Sequence, residues 1–332
     1  MNKSDILNLL LLPDPEPLYQ EADYCRKQNM GDDVYLRGII EFSNICVKDC
    51  HYCGIRSSNT DVKPYRIPDN EIIETCQKMV VWGYTSVVLQ SGEDPFYTTE
   101  KLTHLIKTIK ATTPLAITLS VGERNEATYR AWKEAGMDRY LLRFETSNPK
   151  LFQESHPDDD LTNRLECLEI LRRMGVQVGS GFLIGLPNET LEQLAEDILF
   201  CTQLDLDMIG IGPFIAHPNT PFSSQSNPFS PDIFYKTIAI LRLINPRAHI
   251  PATTAFDAID PKGRNRVLQR GANVFMPNAT PMAYREHYQL YPGKPCISES
   301  SDDCAGCVKG RLKRLGRTIG NDAGHSLKNP LR

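Results

Sequence analysis

The chain has 332 residues, 41% of them apolar and 23% charged, and a formal net charge of -4. These values are typical of one large domain or at most two, and a mildly acidic chain without long Lys/Arg blocks gives no electrostatic reason to expect nucleic acid or anionic membrane as a partner. The apolar run Ile6 to Leu12 is too short to span a bilayer and leads into Pro13-Asp-Pro-Glu-Pro17 instead of a cleavage site, so we expect a cytoplasmic protein.

Helical periodicity over residues 4–11 and 16–30 predicts an N-terminal helical segment, 1–33. From residue 34, short β-rich apolar runs alternate with longer helical runs. The predicted strands are 34–42, 86–90, 115–120, 139–144, 176–184, 208–212, 249–254 and 273–276. The predicted helices between them are 69–82, 98–111, 126–135, 162–174, 191–204 and 232–244.

This alternation indicates parallel strands joined by right-handed crossovers. Eight repeats over about 250 residues predict an α/β fold, a (β/α)8 barrel of the TIM type, at 34–285. The remaining segment, 286–332, is rich in Gly, Pro, Lys and Arg and is expected to be an irregular tail. Barrel enzymes carry their active residues at the carboxyl ends of strands. Polar or Gly-rich clusters stand there at Gln90-Ser-Gly-Glu-Asp94, Ser120-Val-Gly-Glu-Arg124 and Arg143-Phe-Glu-Thr146.

Three cysteines, Cys46, Cys50 and Cys53, follow the first predicted strand in a CxxxCxxC run. In a reducing compartment such clustering indicates metal or redox chemistry. A zinc site would need a fourth ligand, and His51 stands too close to Cys50 to join the same tetrahedron easily. An iron–sulfur cube on three cysteines leaves one iron open for another ligand. The run therefore favours iron–sulfur over zinc or free thiols.

The same run, at the end of strand one and with Tyr52 before its last cysteine, resembles the radical S-adenosylmethionine (SAM) superfamily. The resemblance implies that SAM binds the open iron of a 4Fe-4S cluster, and that one-electron reduction cleaves it to methionine and a 5'-deoxyadenosyl radical. It implies SAM-binding roles for Tyr52, Ser91, Gly92, Glu93, Arg143, Glu145, Arg164 and Met208. The alternatives are an ordinary turn with a solvated Glu93 and structural ion pairs of the arginines.

From about Tyr35 to Asn321 the chain resembles the HydE family of FeFe-hydrogenase maturases, notably in Arg37-Gly-Ile-Ile-Glu-Phe-Ser-Asn44 and Tyr288-Gln-Leu-Tyr-Pro-Gly-Lys294. This resemblance implies a cysteine-bound iron carbonyl cyanide substrate, supplied by the maturase HydG and passed on toward the scaffold HydF. It also implies a low-potential donor, ferredoxin or flavodoxin. The implied substrate pocket comprises Thr118, Arg139, Thr253, Thr254 and Tyr288 as polar groups, with Met208, Pro213, Met276 and Tyr291 as apolar lining. For each of these, filling of the barrel interior is the alternative.

A second trio in the tail, Cys296, Cys304 and Cys307, has the spacing of an auxiliary-cluster motif of that family. We expect a second iron–sulfur cluster there. A zinc site completed by His325, or plain thiols, are the alternatives.

Two other functions stay open. Methylornithine synthase has a similar barrel, but its lysine substrate should need a carboxylate and an arginine inside the cavity. The Thr253 and Thr254 hydroxyls at strand seven offer uncharged donors instead, which favours the HydE family. A non-enzymatic iron–sulfur carrier would not need the SAM-binding residues.

Overall fold

The computed structural model describes residues 1–328, so residues 329–332 of the predicted tail lie outside the described part. Its strands are β1 (Asp33–Ser43), β2 (Ser86–Ser91), β3 (Ala116–Ser120), β4 (Arg139–Leu141), β5 (Gln177–Ser180), β6 (Leu183–Ile184), β7 (Met208–Ile209), β8 (Gly212–Pro213), β9 (Pro251–Ala252), β10 (Val274–Phe275) and β11 (Thr318–Ile319).

Eight of these strands form a parallel sheet in the order β7-β5-β4-β3-β2-β1-β10-β9. A bridge between Met208 and His249 joins its two ends, where the Ile209 N–H donates to the His249 carbonyl at 2.8 Å. The sheet is therefore a nearly closed barrel, which confirms the predicted fold. The predicted strands 176–184 and 208–212 are each interrupted, and their ends, β6 and β8, pair separately.

The helices are α1 (Lys3–Leu10), α2 (Glu16–Met30), α3 (Asp69–Val81), α4 (Thr99–Thr112), α5 (Glu126–Ala135), α6 (Pro149–Ser155), α7 (Leu161–Arg173), α8 (Leu191–Gln203), α9 (Pro231–Ile244), α10 (Ala255–Ile259), α11 (Gly263–Leu268), α12 (Met282–Arg285) and α13 (Ser301–Arg314). Side-chain caps begin several of them: Asn125 accepts from the Thr128 N–H at the start of α5. Among the described residues, no helix is long and apolar enough to cross a bilayer.

Strand β1 shows how the barrel divides its side chains. Gly38 faces outward, because a Cβ there would collide with Met79 of α3. Successive side chains of a strand point to opposite faces. Arg37 and Glu41, one position before and three positions after Gly38, therefore point into the barrel. All but two residues of β1 are buried, as expected for a parallel strand covered on both faces.

The tail is more regular than its composition predicts. In α13, Cys304, Val308 and Leu312 recur at intervals of four residues and are buried against the barrel. β11 then pairs with β1, with Asp33 opposite Thr318. Tertiary packing of one apolar stripe stabilises this helix. The Gly and Lys residues between the apolar positions make the helical pattern difficult to recognise in the sequence.

Candidate active site

The loop after β1 carries Cys46, Cys50 and Cys53 at the carboxyl end of the barrel. A turn joins the Cys53 N–H to the Cys50 carbonyl at 3.3 Å. The loop is anchored to two other segments: the His51 N–H donates to the Ser155 carbonyl at 2.8 Å, and the Gly54 N–H to the Leu290 carbonyl at 2.9 Å. Neighbouring βα loops and the tail therefore hold the cysteine loop in place.

Burial raises the pKa of all three thiols, that of Cys53 to about 12. A thiolate in this setting needs a cation beside it, and iron would supply one. The Glu93 N–H also donates to the Cys46 sulfur at 3.3 Å. The three sulfurs fit a cluster-binding loop in number and environment. Among the side chains that the structure describes, no three of His, Cys, Asp or Glu converge as they would around a single metal ion.

The predicted Ser91-Gly92-Glu93 segment packs directly on the cysteine loop. The Gly92 N–H donates to the Ser43 carbonyl at 3.1 Å, and the Val47 N–H donates to the Glu93 carbonyl at 3.1 Å. A Cβ at Gly92 would collide with the Ile45 carbonyl and the Cys46 side chain. Only glycine allows this approach of the two loops.

The Glu93 carboxylate lies over Gly122, a glycine with φ 79°, and accepts from the Glu123 N–H at 3.2 Å. Arg124 Nη1 lies 3.8 Å from Glu93 Oε2, and the Lys48 cation also attracts this carboxylate. Burial raises the pKa of Glu93, because these contacts do not fully compensate its charge. A ligand ammonium would complete the compensation, so this carboxylate fits the methionine end of SAM.

Arg143 and Glu145 follow β4 and have polar side-chain atoms that form no hydrogen bond among the described residues. Their charged atoms are 2.9 Å apart but not aligned as a hydrogen bond. Arg143 Nε, Arg143 Nη2 and Glu145 Oε2 are buried and have no hydrogen-bond partner in the described part of the chain. Glu145 has φ 64°, in the left-handed region that non-glycine residues rarely adopt. Unused polar atoms on a strained backbone suit a polar ligand such as ribose.

Arg164 is buried in a network that sequence reasoning only partly anticipated. Its Nε donates to Glu123 at 2.9 Å, its Nη1 donates to the Arg143 carbonyl at 3.1 Å, and its Nη2 pairs with Asp159. Lys48, between Cys46 and Cys50, lies 3.2 Å from Asp159. Lys48, Asp159 and Glu123 were missed as site residues, although Glu123 stands in a strand-end cluster visible in the sequence.

Tyr52 and His156 form a second contact between loops. The Tyr52 hydroxyl lies 2.9 Å from His156 Nε2. Burial lowers the pKa of His156 to about 3, so the imidazole is neutral. His156 positions Tyr52 beside the cysteines, and no local signal in the sequence indicated it.

Asp197 of α8 holds the loop that follows Glu145. Its Oδ1 accepts from the Ser147 N–H and the Thr146 hydroxyl, and its Oδ2 is buried without a partner. Burial raises the pKa of Asp197 to about 7. The folded chain therefore keeps the proton of the Asp197 carboxyl to higher pH than the unfolded chain, which releases it at about pH 4.

This arrangement predicts a pH-dependent stability. The free energy of unfolding should fall by up to about 4 kcal/mol as the pH rises from about 4 to about 7, since the protonated carboxyl favours the folded state. Asp197→Asn keeps the Oδ1 acceptor but cannot titrate. We expect a flatter pH profile for this variant in anaerobic urea unfolding; equal slopes for the two proteins would contradict the assignment.

The barrel interior contains two buried arginines. Arg37 donates to the Met208 sulfur at 2.7 Å and to the Gly324 carbonyl at 3.0 Å, and its Nε has no hydrogen-bond partner among the residues described. Arg139 donates to the Ser86 hydroxyl at 3.2 Å, the Gln177 side chain and the Ala323 carbonyl. Among the described residues, neither guanidinium forms an ion pair with a carboxylate. Burial and the like charge of Arg139 lower the pKa of Arg37, and burial lowers that of Arg139 to about 10.

These contacts alter the predicted grouping of interior residues. Met208 touches Arg37 across the barrel, which places it in the interior rather than in the cysteine loop's surroundings. Arg139 binds the tail at the amino end of the barrel as well as facing inward. Thr118, next to Arg139 in register, has a buried hydroxyl for which the described residues provide no hydrogen-bond partner. Arg37 was not predicted as a site residue; the alternation along β1 could have indicated it.

The other predicted pocket residues lie toward the carboxyl end. The Tyr288 hydroxyl accepts from Gln90 at 3.1 Å, and the Thr254 and Tyr291 hydroxyls are 2.6 Å apart. The Thr253 hydroxyl donates to the Ile211 carbonyl at 2.9 Å, so it already has a partner. Pro213, in β8, is buried, and Met276 is partly buried.

The second cysteine trio is only partly assembled. The Cys304 thiol donates to Cys296, which lowers the pKa of Cys296 to about 6, while Cys307 is exposed. His325 contacts Gln177 at 2.8 Å and Arg139 at 3.3 Å in the barrel. Its Nδ1 is therefore engaged away from the trio, which gives no support to the zinc alternative.

Comparison with known proteins supplies the family. The model of the Radical SAM superfamily matches residues 40–201. The [FeFe] hydrogenase maturase subunit HydE of Thermotoga maritima is 46% identical over 310 residues, 93% of this chain and 88% of that protein. The chain belongs to the HydE family of radical SAM enzymes. A 4Fe-4S cluster and SAM are accordingly its cofactors.

More distant relatives of this HydE-family chain share its barrel. The 3-methylornithine synthase of Methanosarcina acetivorans is 30% identical over 264 residues, which cover 78% of this chain and 73% of that protein. A crystal structure of methylornithine synthase superimposes with a TM-score of 0.85 at 26% identity, covering 96% of this chain and 94% of the other. The whole described barrel is thus common to enzymes with different substrates, and substrate must be argued from the interior.

Proposed function

We propose that this enzyme acts on a cysteine-bound iron carbonyl cyanide species during assembly of the diiron centre of FeFe hydrogenase. The observation that carries the proposal is the pair of buried guanidinium groups, Arg37 and Arg139. Among the described residues neither has a carboxylate within ion-pair distance, although Asp138, Asp207 and Asp322 attract Arg139 from farther away. Buried charges are normally paired, so this interior is suited to an anion. The unpartnered Thr118 hydroxyl adds a donor.

In this proposal Cys46, Cys50 and Cys53 hold the cluster. Glu93 receives the ammonium of SAM, while Arg143 and Glu145 contact its carboxylate and ribose. Arg164 and Tyr52 act as further SAM contacts, directly or by positioning their neighbours. When bound, the cluster and SAM together supply a 5'-deoxyadenosyl radical.

The chain's own residues would then direct that reactivity. The Arg37 and Arg139 cations and the Thr118 hydroxyl orient the anionic ligands of the substrate. Tyr288, Tyr291 and Thr254 close the carboxyl half and exclude water, which limits quenching of the radical. Met208, Pro213 and Met276 supply apolar lining, and Thr253 holds the end of β9. We further propose that HydG delivers the substrate, that HydF accepts the product, and that ferredoxin or flavodoxin supplies electrons.

The auxiliary cluster at Cys296, Cys304 and Cys307 is a separate proposal without a catalytic role. The Cys304-to-Cys296 hydrogen bond supports a metal-binding pair, since a lowered thiol pKa favours the thiolate. Iron analysis compares a Cys296→Ala/Cys304→Ala variant with the parent chain after reconstitution. The difference in iron content between the two proteins is the iron held by the auxiliary cluster.

The substrate assignment is tested by comparing ligands under one condition. Anaerobically reconstituted enzyme receives SAM and dithionite with either a synthetic cysteine-bound iron carbonyl cyanide complex or L-lysine. We expect consumption of the iron complex and a product containing the deoxyadenosyl group, with no change in lysine. Methylornithine formation would instead establish the lysine mutase, and an intact cluster without any nucleoside would establish a carrier.

A further inference from the structure

Inside the barrel, a carboxylate and an ammonium form a buried ion pair. Both oxygens of Glu41, in β1, contact Lys294 Nζ, which reaches in from the tail. The two residues are 3% and 8% exposed. Lys294 Nζ also donates to the Tyr288 carbonyl at 3.3 Å. Desolvating such a pair costs much of what its attraction contributes, so stability alone gives no reason for it.

The segment 287–294, here called the strap, carries Lys294 across the carboxyl end of the barrel. The Asn44 side chain donates to the His287 carbonyl at 2.7 Å, and the Gly54 N–H to the Leu290 carbonyl at 2.9 Å. The strap is therefore attached on both sides of the cysteine loop. Among the described residues, Lys294 is the cation in direct contact with Glu41, and Arg285 acts on Glu41 only from farther away.

Glu41 shares the interior face of β1 with Arg37. Four residues of a strand separate them, or roughly 13 Å between their Cα atoms. Because Lys294 compensates Glu41, the positive charge of Arg37 and Arg139 is not offset by this carboxylate. Without Lys294, the same interior would contain a carboxylate at one end and guanidinium groups at the other, an arrangement suited to a zwitterion with well-separated charges.

We infer that Lys294 is a specificity-determining residue: by neutralising Glu41 it makes the barrel interior selective for anionic rather than zwitterionic ligands. The inference deepens the proposed function and depends on its anion site. It assigns Lys294 a role through charge and not through contact with the reacting atoms.

Titration with thiocyanate, a small anion, tests this inference by isothermal calorimetry on reconstituted enzyme. We expect Lys294→Met to weaken thiocyanate binding about tenfold, as a unit charge at roughly 13 Å would at an effective dielectric constant of about 20. Glu41→Gln should strengthen binding by a similar factor. The double variant should return to within about twofold of the parent, and Lys294→Arg, which keeps the charge, should match the parent.

The opposite expected effects of Lys294→Met and Glu41→Gln on thiocyanate affinity distinguish charge compensation from a purely structural role, in which the ion pair acts as a latch that holds the strap in place. A latch would make both single variants weaker binders and the double variant no better, which would overturn the inference. Urea unfolding of each variant identifies loss of fold, and Glu41→Gln remains informative if Lys294→Met is unstable. No binding of thiocyanate by the parent enzyme would instead reject the anion site of the proposed function.

Discussion

A Cys50→Ala chain should form no more than about a hundredth of the parent's 5'-deoxyadenosine. Loss of a residue that merely supports a metal ligand costs about 10–100-fold, and Cys50 is proposed as a ligand itself. The turn from Cys50 to Cys53 and the Ser155 contact of His51 stay in place after the change. The loss should therefore reflect the missing sulfur and not a collapsed loop.

The measurement uses anaerobic reconstitution, iron and sulfide analysis, and chromatography of the nucleoside after addition of SAM and dithionite. Cys25→Ala is the matched control, because Cys25 lies on α2 outside both trios and its thiol makes two long contacts, 3.7 Å to the Arg242 carbonyl and 3.8 Å from the Asn29 side chain. It should keep both cluster and nucleoside. If Cys50→Ala also kept them, the assignment of the first trio would be wrong.

Replacing Arg164 by alanine should lower the free energy of unfolding by about 3–5 kcal/mol, since Glu123 loses its paired cation and the buried Asp159 keeps only Lys48. Its side chain is 8% exposed and pairs with Glu123, 15% exposed, and Asp159, 2% exposed. These carboxylates outweigh burial and raise the pKa of Arg164, so the cation is favoured in the fold. SAM affinity should fall with stability, because Arg164 also supports the Arg143 backbone.

Arg173→Ala provides the comparison within α7. Arg173 is 61% exposed, and its nearest carboxylate oxygen, on Glu126, is 3.8 Å away. A change there should stay within about 0.5 kcal/mol. Urea unfolding gives the stabilities, and calorimetry with SAM gives the affinities. Equal effects of the two substitutions would show that the network around Arg164 is not a distinct stabilising unit.

Local patterns predicted the barrel and the first cysteine loop well. The strand pattern recurs eight times with six helical segments between, and such repetition constrains topology more than any single element does. The three cysteines lie within eight residues, so their proximity is a property of the chain itself. The α13 helix was not predicted, because its apolar stripe is short and mixed with Gly and Lys.

Relations between distant segments could not be predicted in the same way. Asp159 and Lys48 stand 111 positions apart, yet their charged atoms lie 3.2 Å apart. Met208 has no sequence signal that distinguishes the barrel interior from the SAM site. Arg139 was predicted to face a ligand. Its contacts with the tail could not be predicted, because they depend on where residues 323–325 pack against the barrel.

The sequence by itself determined the (β/α)8 architecture and the spacing of the cysteine loop, because each depends on local period or spacing. The tertiary structure alone decided which charges meet. Within the described part of the chain it left Arg37 and Arg139 without a carboxylate at ion-pair distance, paired Glu41 with Lys294 from 253 positions away, and joined Lys48, Asp159 and Arg164 around the site. The physical reason is that burial makes every charge depend on its partner, and partners in a barrel come from strands and loops far apart in the chain.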